Sequence, residues 1–183
     1  VNAFIVTNTA AAASALTWGV VSHFRSGKMS AVGVATGAVA GLVAITPASG
    51  YVGVMGALAI GAVAGLLCFV AVEIINRTSL DDALDVFAVH GIGGIVGALL
   101  TGVFAVAAIG GTPGLIEGNG LALQANFISV IATLAYSLVA TLVILKVLDL
   151  VPGLGLRVTD RNEDEGLDLS AHGERAQVSD GAD

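Results

Sequence analysis

The chain has 183 residues, of which 56% are hydrophobic, only 11% are charged and 25 are glycine. Mean hydropathy is +0.93, so the chain has too little polar material to cover a water-soluble globule of this size. The formal net charge of −7 argues against a nucleic-acid partner, because phosphate-backbone binding depends on Lys and Arg. This composition predicts an integral membrane protein and argues strongly against a soluble enzyme.

The chain begins at Val1 with no initiator Met and no signal-peptide pattern, and it is apolar from Ala3 onward. These features indicate a segment of a longer protein, with further residues upstream.

Five long apolar segments follow in chain order. About 20 helical residues at 1.5 Å rise cross the hydrocarbon core of a bilayer, so each segment is predicted to be a transmembrane helix. The predicted helices span 3–22, 31–46, 53–75, 85–108 and 125–148. The second is short and ends at Pro47, and the linker 48–52 predicts a tight hairpin. The predicted fold class is all-α: a polytopic transmembrane helix bundle over residues 1–150, with an acidic cytoplasmic tail over 151–183.

The basic residues test this topology independently. Five spans in series place the loops alternately on two sides of the membrane, and all seven basic residues fall on one side. They are Arg25, Lys28, Arg77, Lys146, Arg157, Arg161 and Arg175. The positive-inside rule makes that side cytoplasmic, so we expect the C-terminus inside and Val1 near the outer face of the cell membrane.

The tail over 151–183 has a different composition from the spans. It holds eight acidic residues against three Arg, and leucines interrupt the charge at Leu154, Leu156, Leu167 and Leu169. The composition is typical of a disordered, solvating tail. The spaced leucines favour the alternative, a cytoplasmic segment that docks on the membrane domain or on a soluble regulator.

Small residues recur every four positions on three of the predicted helices. The three stripes are Gly33, Gly37 and Gly41; Ala57, Gly61 and Gly65; and Gly93, Gly97 and Thr101. Such stripes let membrane helices approach backbone to backbone, and generic tight packing is their simplest interpretation. A bundle packed this closely leaves room only for a narrow path.

His90 is the candidate functional residue, because an ionisable group inside a membrane is expensive and is a functional candidate by default. At 100° per residue it shares a helix face with Asp82, Val86, Gly94 and Gly97. A buried imidazole on this face needs a polar partner, which is water, a hydroxyl or a residue upstream of this chain. His23 and His172 are predicted to lie in solvent.

Other polar or reactive residues have simpler interpretations. Asp81, Asp82 and Asp85 precede or open the fourth helix, where carboxylates cap free N–H groups. Thr46 either caps the second helix or lines a cavity. Trp18 and Tyr51 are expected to anchor at the membrane interface. The single cysteine, Cys68, has no Cys or His companion at metal spacing, so no metal site is predicted. We also predict no cofactor and no catalytic residue.

Several motifs stand out along the chain. They are DVFAVHGIGG at 85–94, ITPASGYV at 45–52, and in the tail GLRV at 155–158, EGLD at 165–168 and SAHGE at 170–174. These motifs resemble those of the ammonium transporter family (Amt/Mep, related to Rhesus proteins). The resemblance covers essentially the whole chain and is specific in order, spacing and residue type. It implies the C-terminal five helices of an eleven-helix protomer.

The resemblance also implies functional roles. His90 matches the second of two histidines that face each other in a hydrophobic pore, and Val86 matches a pore-lining position. Thr46 matches a position near the path, and Asp85 the acidic residue at its inner end. The implied activity is recruitment of NH4+, deprotonation and conduction of NH3. The implied partners are ammonium or ammonia, the lipid bilayer, two further copies in a homotrimer, and a PII-type cytoplasmic regulator.

Two other functions remain open at this point. The same fold serves as an ammonium sensor, or transceptor, when it passes a signal to a partner through the tail. It also serves as a Rhesus-type channel for another small neutral solute. We expect that these 183 residues alone, lacking half of the implied pore, are inactive.

Overall fold

The computed structural model describes residues 1–151, 153 and 155–174. All regular structure in this part of the chain is helical, and no strand occurs in it, which confirms the predicted all-α fold class. Predictions that concern Leu154, and the tail charges Arg175, Asp180 and Asp183, lie outside the described residues.

Seven α-helices are present in the described ranges. They are α1 (Asn2–Ser26), α2 (Ala31–Ile45), α3 (Val54–Ile75), α4 (Gly93–Phe104), α5 (Ala107–Gly110), α6 (Gly120–Asp149) and α7 (Asp160–Glu165). A π-helical turn over Phe87–Ile92 runs directly into α4. A second π turn follows α7 at Asp168–His172, and a short 3₁₀ turn over Leu115–Glu117 precedes α6.

Four segments are long and apolar enough to cross a membrane: α1, α3, the continuous helix Phe87–Phe104, and α6. Helix α2 has 15 residues and is therefore only about 22 Å long. The predicted fourth segment continued to residue 108, whereas the helix ends at Phe104. It ends there because Val106 leaves the helix and donates its N–H to the Tyr51 carbonyl at 2.8 Å, while the Ala105 carbonyl accepts from Gly114.

The core lies where α1 passes between α2 and α3. Buried residues recur every four positions along α1, at Val6, Ala10, Ser14 and Trp18. Deep in this core the Ser14 hydroxyl donates to the Gly37 carbonyl at 2.6 Å, which ties α1 to α2. A hydroxyl that bonds across two helices is satisfied without water, so it suits an apolar interior.

The small-residue stripes pack as predicted. A Cβ added at Gly41 would lie 2.5 Å from the Ala10 carbonyl oxygen, and one added at Gly65 would lie 2.6 Å from the Ser14 carbonyl oxygen. Real Cβ contacts are not that short, so both helices touch α1 through its backbone. On α4, a Cβ at Gly97 would collide with the Ala44 backbone of α2.

The expectation that Trp18 anchors at the membrane interface is wrong. Its side chain is buried, and its ring meets that of Phe69 edge to face, with centroids 5.4 Å apart. It fits there because Gly33 and Gly37 have no side chains: a Cβ at Gly37 would lie 2.5 Å from the Trp18 Cβ. Tyr51 is partly exposed at the hairpin between α2 and α3.

Polar contacts mark the two ends of this bundle. At one end the Arg25 guanidinium, at the end of α1, contacts both carboxylate oxygens of Glu73 on α3 at 3.2 Å, and Arg77 lies 3.9 Å from the same carboxylate. At the other end the Asn2 side chain donates to the Val52 carbonyl at 3.0 Å. The basic loops after α1 and α3 therefore share one end of the bundle, as the alternating topology requires.

The chain divides into two compact units, Val1–Thr133 and Leu134–Asp183, and α6 crosses the division. In the second unit, Thr159 caps α7 and Arg157 pairs with Glu163 at 3.1 Å. The Ser170 hydroxyl donates to the Asn162 carbonyl at 3.1 Å. Residues 155–174 thus contain specific local structure. The boundary between residues 150 and 151, inferred from composition, stays a prediction.

We expect Gly61→Ala to destabilise the bundle. Its Cβ would lie 2.8 Å from the Ala10 Cα, and overpacking of this kind costs about 1–3 kcal/mol. Gly94→Ala is the matched control, because a Cβ there meets nothing within 4 Å. The thermal unfolding midpoint of the full-length protein in detergent should fall for Gly61→Ala only. Equal midpoints for the two variants would contradict the backbone contact.

Candidate functional site: a groove beside His90

The helix that carries His90 begins at an acidic cap. The Asp82 carboxylate accepts the Val86 N–H at 2.8 Å and the Phe87 N–H at 2.9 Å, so it satisfies two backbone donors. This confirms the capping role predicted for Asp82. Asp85 adopts a positive φ of 53°, which is uncommon for a residue other than glycine. Partial desolvation, and then the nearby charge of Asp82, raise the pKa of the Asp85 carboxyl above its ordinary value.

His90 lies within the π turn, not within a regular α-helix. A π turn accommodates one extra residue, so side chains beyond it are rotated by about 100° relative to an uninterrupted helix. The residues predicted to share one helix face do not all lie together. Asp82 precedes the helix, and Gly97 packs on α2, whereas His90 and Gly94 line one groove.

This groove runs between α2 and the helix Phe87–Phe104. It is open on one side, has a volume of about 470 Å³, and is lined by Val39, Leu42, Val43, Thr46, Pro47, His90 and Gly94. None of these lining residues carries a fixed charge. The groove is therefore an apolar surface on which one imidazole is the titratable group.

The sequence predicted a buried imidazole, whereas His90 is exposed in the described part of the chain. The reason is geometric. Gly97 and Ala44 bring α4 onto α2 along a neighbouring face, and no other described helix covers the side of the groove opposite α2. Among the described residues, His90 makes no side-chain hydrogen bond.

Thr46 combines the two roles that the sequence left open. Its hydroxyl donates to the Leu42 carbonyl at 2.7 Å at the end of α2, and its side chain also lines the groove. Because the hydroxyl proton is engaged, the oxygen lone pairs are what Thr46 offers to the groove. His90 and Thr46 are thus brought to one groove.

The other two candidates lie at the beginning of the π turn. Val86 immediately precedes that turn and is half exposed, and Asp85 precedes Val86. Neither lines the groove as the described residues define it. Sequence reasoning missed Val39, Leu42 and Val43. A usable signal was present, since 39, 42, 43 and 46 follow the i, i+3, i+4, i+7 spacing of one helix face.

Behind the π turn the packing is tight. Val89 is buried, and the fully buried Cys68 lies so close that a Cβ on Gly93 would be 3.3 Å from its Sγ. The same Cβ on Gly93 would also lie 3.3 Å from the Val43 Cγ1. The side of the π turn opposite the solvent therefore packs against α2 and α3. No cluster of His, Cys, Asp and Glu suited to a metal ion occurs in the described ranges.

Comparison with known proteins identifies the family. The family model described as Ammonium Transporter Family matches residues 1–177. The chain belongs to the ammonium transporter family. Its relatives are named as transporters and not as enzymes.

Two curated relatives illustrate the similarity. The chain is 43% identical to ammonium transporter Amt1 of Archaeoglobus fulgidus over 176 residues, which cover 96% of this chain and 44% of the relative. It is 48% identical to an ammonium transporter of Aquifex aeolicus over 175 residues, covering 95% and 41%. The chain therefore spans about two fifths of the length of these relatives.

Solved structures agree on the fold. The crystal structure of Saccharomyces cerevisiae Mep2 matches with a TM-score of 0.82 at 35% identity, over 87% of this chain and 37% of that one. A structure described as a sensor Amt protein matches with a TM-score of 0.80 at 29% identity, over 93% and 41%. Together with the apolar helices, family membership establishes a multi-pass membrane protein.

The packing behind the π turn predicts an unreactive thiol. In full-length protein whose other cysteines are replaced, Cys68 should react with a maleimide at least about tenfold more slowly than an exposed thiol, since it is fully buried. Leu80→Cys in a Cys68→Ser background supplies that exposed thiol, because Leu80 is 69% exposed. Labelling in detergent before and after denaturation measures both rates. Equal rates in the folded protein would contradict the packing.

Proposed function

We propose that the full-length protein that contains this chain transports ammonium across the cell membrane. NH4+ is recruited and gives up its proton, NH3 crosses a hydrophobic pore, and the proton passes separately along the imidazoles of a histidine pair and re-forms NH4+ at the inner end. The family match over residues 1–177 carries this proposal. The apolar groove beside His90 supports it, because a wall without fixed charge suits a neutral solute.

The physical rationale is desolvation. An unpaired ion in an apolar path loses its hydration at a cost of many kcal/mol, whereas NH3 is neutral. Ammonia still has a lone pair and three N–H groups that need partners. A neutral imidazole both donates and accepts hydrogen bonds, so His90 can replace part of the water that the solute leaves behind.

Four residues receive roles in this proposal. His90 is one member of a histidine pair that contacts the solute. Thr46 lines the same path from α2 and offers oxygen lone pairs. Val86 lines the path beyond the described groove, and Asp85 lies at its inner end, where a carboxylate attracts a departing cation.

The proposed assembly is a homotrimer with one pore in each protomer. The tail and the basic loops face the cytoplasm, where a PII-type regulator binds them. The shared end of the basic loops after α1 and α3 supports this orientation, since the positive-inside rule places such loops in the cytoplasm.

We expect His90→Ala to reduce or uncouple transport while assembly persists, because the variant removes the imidazole from the groove and leaves the helix packing intact. Methylammonium uptake, and the current evoked by an ammonium pulse on proteoliposomes, measure the two effects. His23→Ala is the matched control, since it removes a histidine at the end of α1, away from the groove. Unchanged uptake together with unchanged current in His90→Ala would refute the role of His90.

The orientation is tested by thiol labelling in intact cells. Thr112→Cys lies in the loop between α5 and α6, and Asp164→Cys lies in α7; both positions are exposed. With the other cysteines replaced, an impermeant reagent should label Thr112→Cys in intact cells and Asp164→Cys only after lysis. The opposite pattern would invert the proposed topology.

An ammonium sensor is the second candidate, and the similarity to a structure described as a sensor Amt protein favours it. A sensor binds ammonium and changes a partner's state with little flux. Ammonium binding to purified full-length protein without uptake into proteoliposomes would support the sensor. A Rhesus-type channel for another neutral solute predicts flux of that solute in the same vesicles.

A further inference from the structure

We propose that Asp82 is a positioning residue for His90: its carboxylate holds the beginning of the π turn and thereby sets where the imidazole stands in the groove. This inference rests on the proposed transport function. It adds Asp82, which does not line the groove, to the four residues that have roles in that function.

The hydrogen bonds of Asp82 carry the first step. One carboxylate oxygen accepts from Val86 at 2.8 Å and the other accepts from Phe87 at 2.9 Å. The Asp82 carbonyl also accepts the Asp85 N–H at 2.9 Å, which closes the turn that precedes the helix. Asp82 therefore binds the last residue before the π turn and the first residue inside it, which lie four and three positions before His90.

The second step concerns the π turn itself. A π turn is a less common arrangement than a continuous α-helix, and the same residues can form the α-helix by shifting one hydrogen-bond register. That shift rotates the chain before the turn by about 100° relative to α4, which carries Gly94 of the groove, and it rotates His90, inside the turn, by part of that angle. The far end of the turn is held, because Gly93 packs against Cys68 and Val43. Asp82 is the side chain that holds the near end.

Asp81 provides a control that distinguishes the positioning role of Asp82 from an effect of its charge. It carries the same charge at the adjacent position, and its side chain makes no hydrogen bond to any described residue. Replacing either aspartate with asparagine removes one negative charge from the same end of the helix. Only replacement of Asp82 removes an acceptor from the cap.

The experiment uses full-length protein in proteoliposomes, with rates normalised to folded protein from size exclusion. Four variants are compared with the unsubstituted protein: Asp82→Ala, Asp82→Asn, Asp81→Asn and His90→Ala. Apparent KM and maximal rate are measured for methylammonium. Loss of a helix cap shifts a local equilibrium by roughly fivefold, so Asp82→Ala should lower the maximal rate roughly fivefold with little change in KM.

The asparagine variant tests the mechanism. Its side-chain oxygen accepts one N–H, so Asp82→Asn should recover part of the rate that Asp82→Ala loses. Asp81→Asn should transport like the unsubstituted protein. If Asp82→Ala does not fold, an intermediate maximal rate with unchanged KM in Asp82→Asn supports the proposal, and an unsubstituted rate overturns it.

Three results would overturn the positioning role. If Asp82→Ala has normal kinetics while His90→Ala is impaired, Asp82 has no positioning role, and the proposed transport function is unaffected. Equal losses in Asp82→Asn and Asp81→Asn would assign the effect to charge. Normal kinetics of His90→Ala would remove the proposed role of the histidine, and the positioning role with it.

Discussion

The bundle depends on backbone contact between α1 and its two neighbours. At Ala10 and Ser14 the main chain of α1 meets Gly41 of α2 and Gly65 of α3, with no room for a side chain between them. In lipid, helices gain little from hiding apolar surface from one another, so close packing and the buried hydrogen bond from Ser14 hold the bundle together. Because α1 is fixed on both sides, α2 has one face committed to the core.

The groove is the consequence on the opposite face of α2. Gly37 and Gly41 point to α1, so the larger residues Leu42 and Val43 are presented to the helix that carries His90. Gly97 brings α4 onto Ala44 and fixes the distance between the two walls. Small residues thus determine the spacing of the helices, and bulky apolar residues provide the lining.

The sequence predicted the parts of this arrangement that follow from periodicity. Hydropathy located the membrane helices, and the four-residue stripes located the backbone contacts. The free-energy cost of an ionisable group inside a membrane indicated His90 as the candidate functional residue. The π turn could not be predicted, because a constant 100° per residue assumes an unbroken α-helix, whereas His90 lies within a π turn. Trp18 was misplaced for a related reason: its burial depends on glycines that lie 15 and 19 positions away.

The loop that follows α4 has a mechanical consequence for the groove. Val106 is hydrogen-bonded to the Tyr51 carbonyl, and Gly110 packs directly on Tyr51, so the end of α4 is fastened to the hairpin that ends α2. The two walls are joined there and again where Gly97 packs on Ala44, so the spacing of α2 and α4 is fixed at two points. Any widening of the groove would have to break the hydrogen bond to Tyr51 or the backbone contact at Gly97.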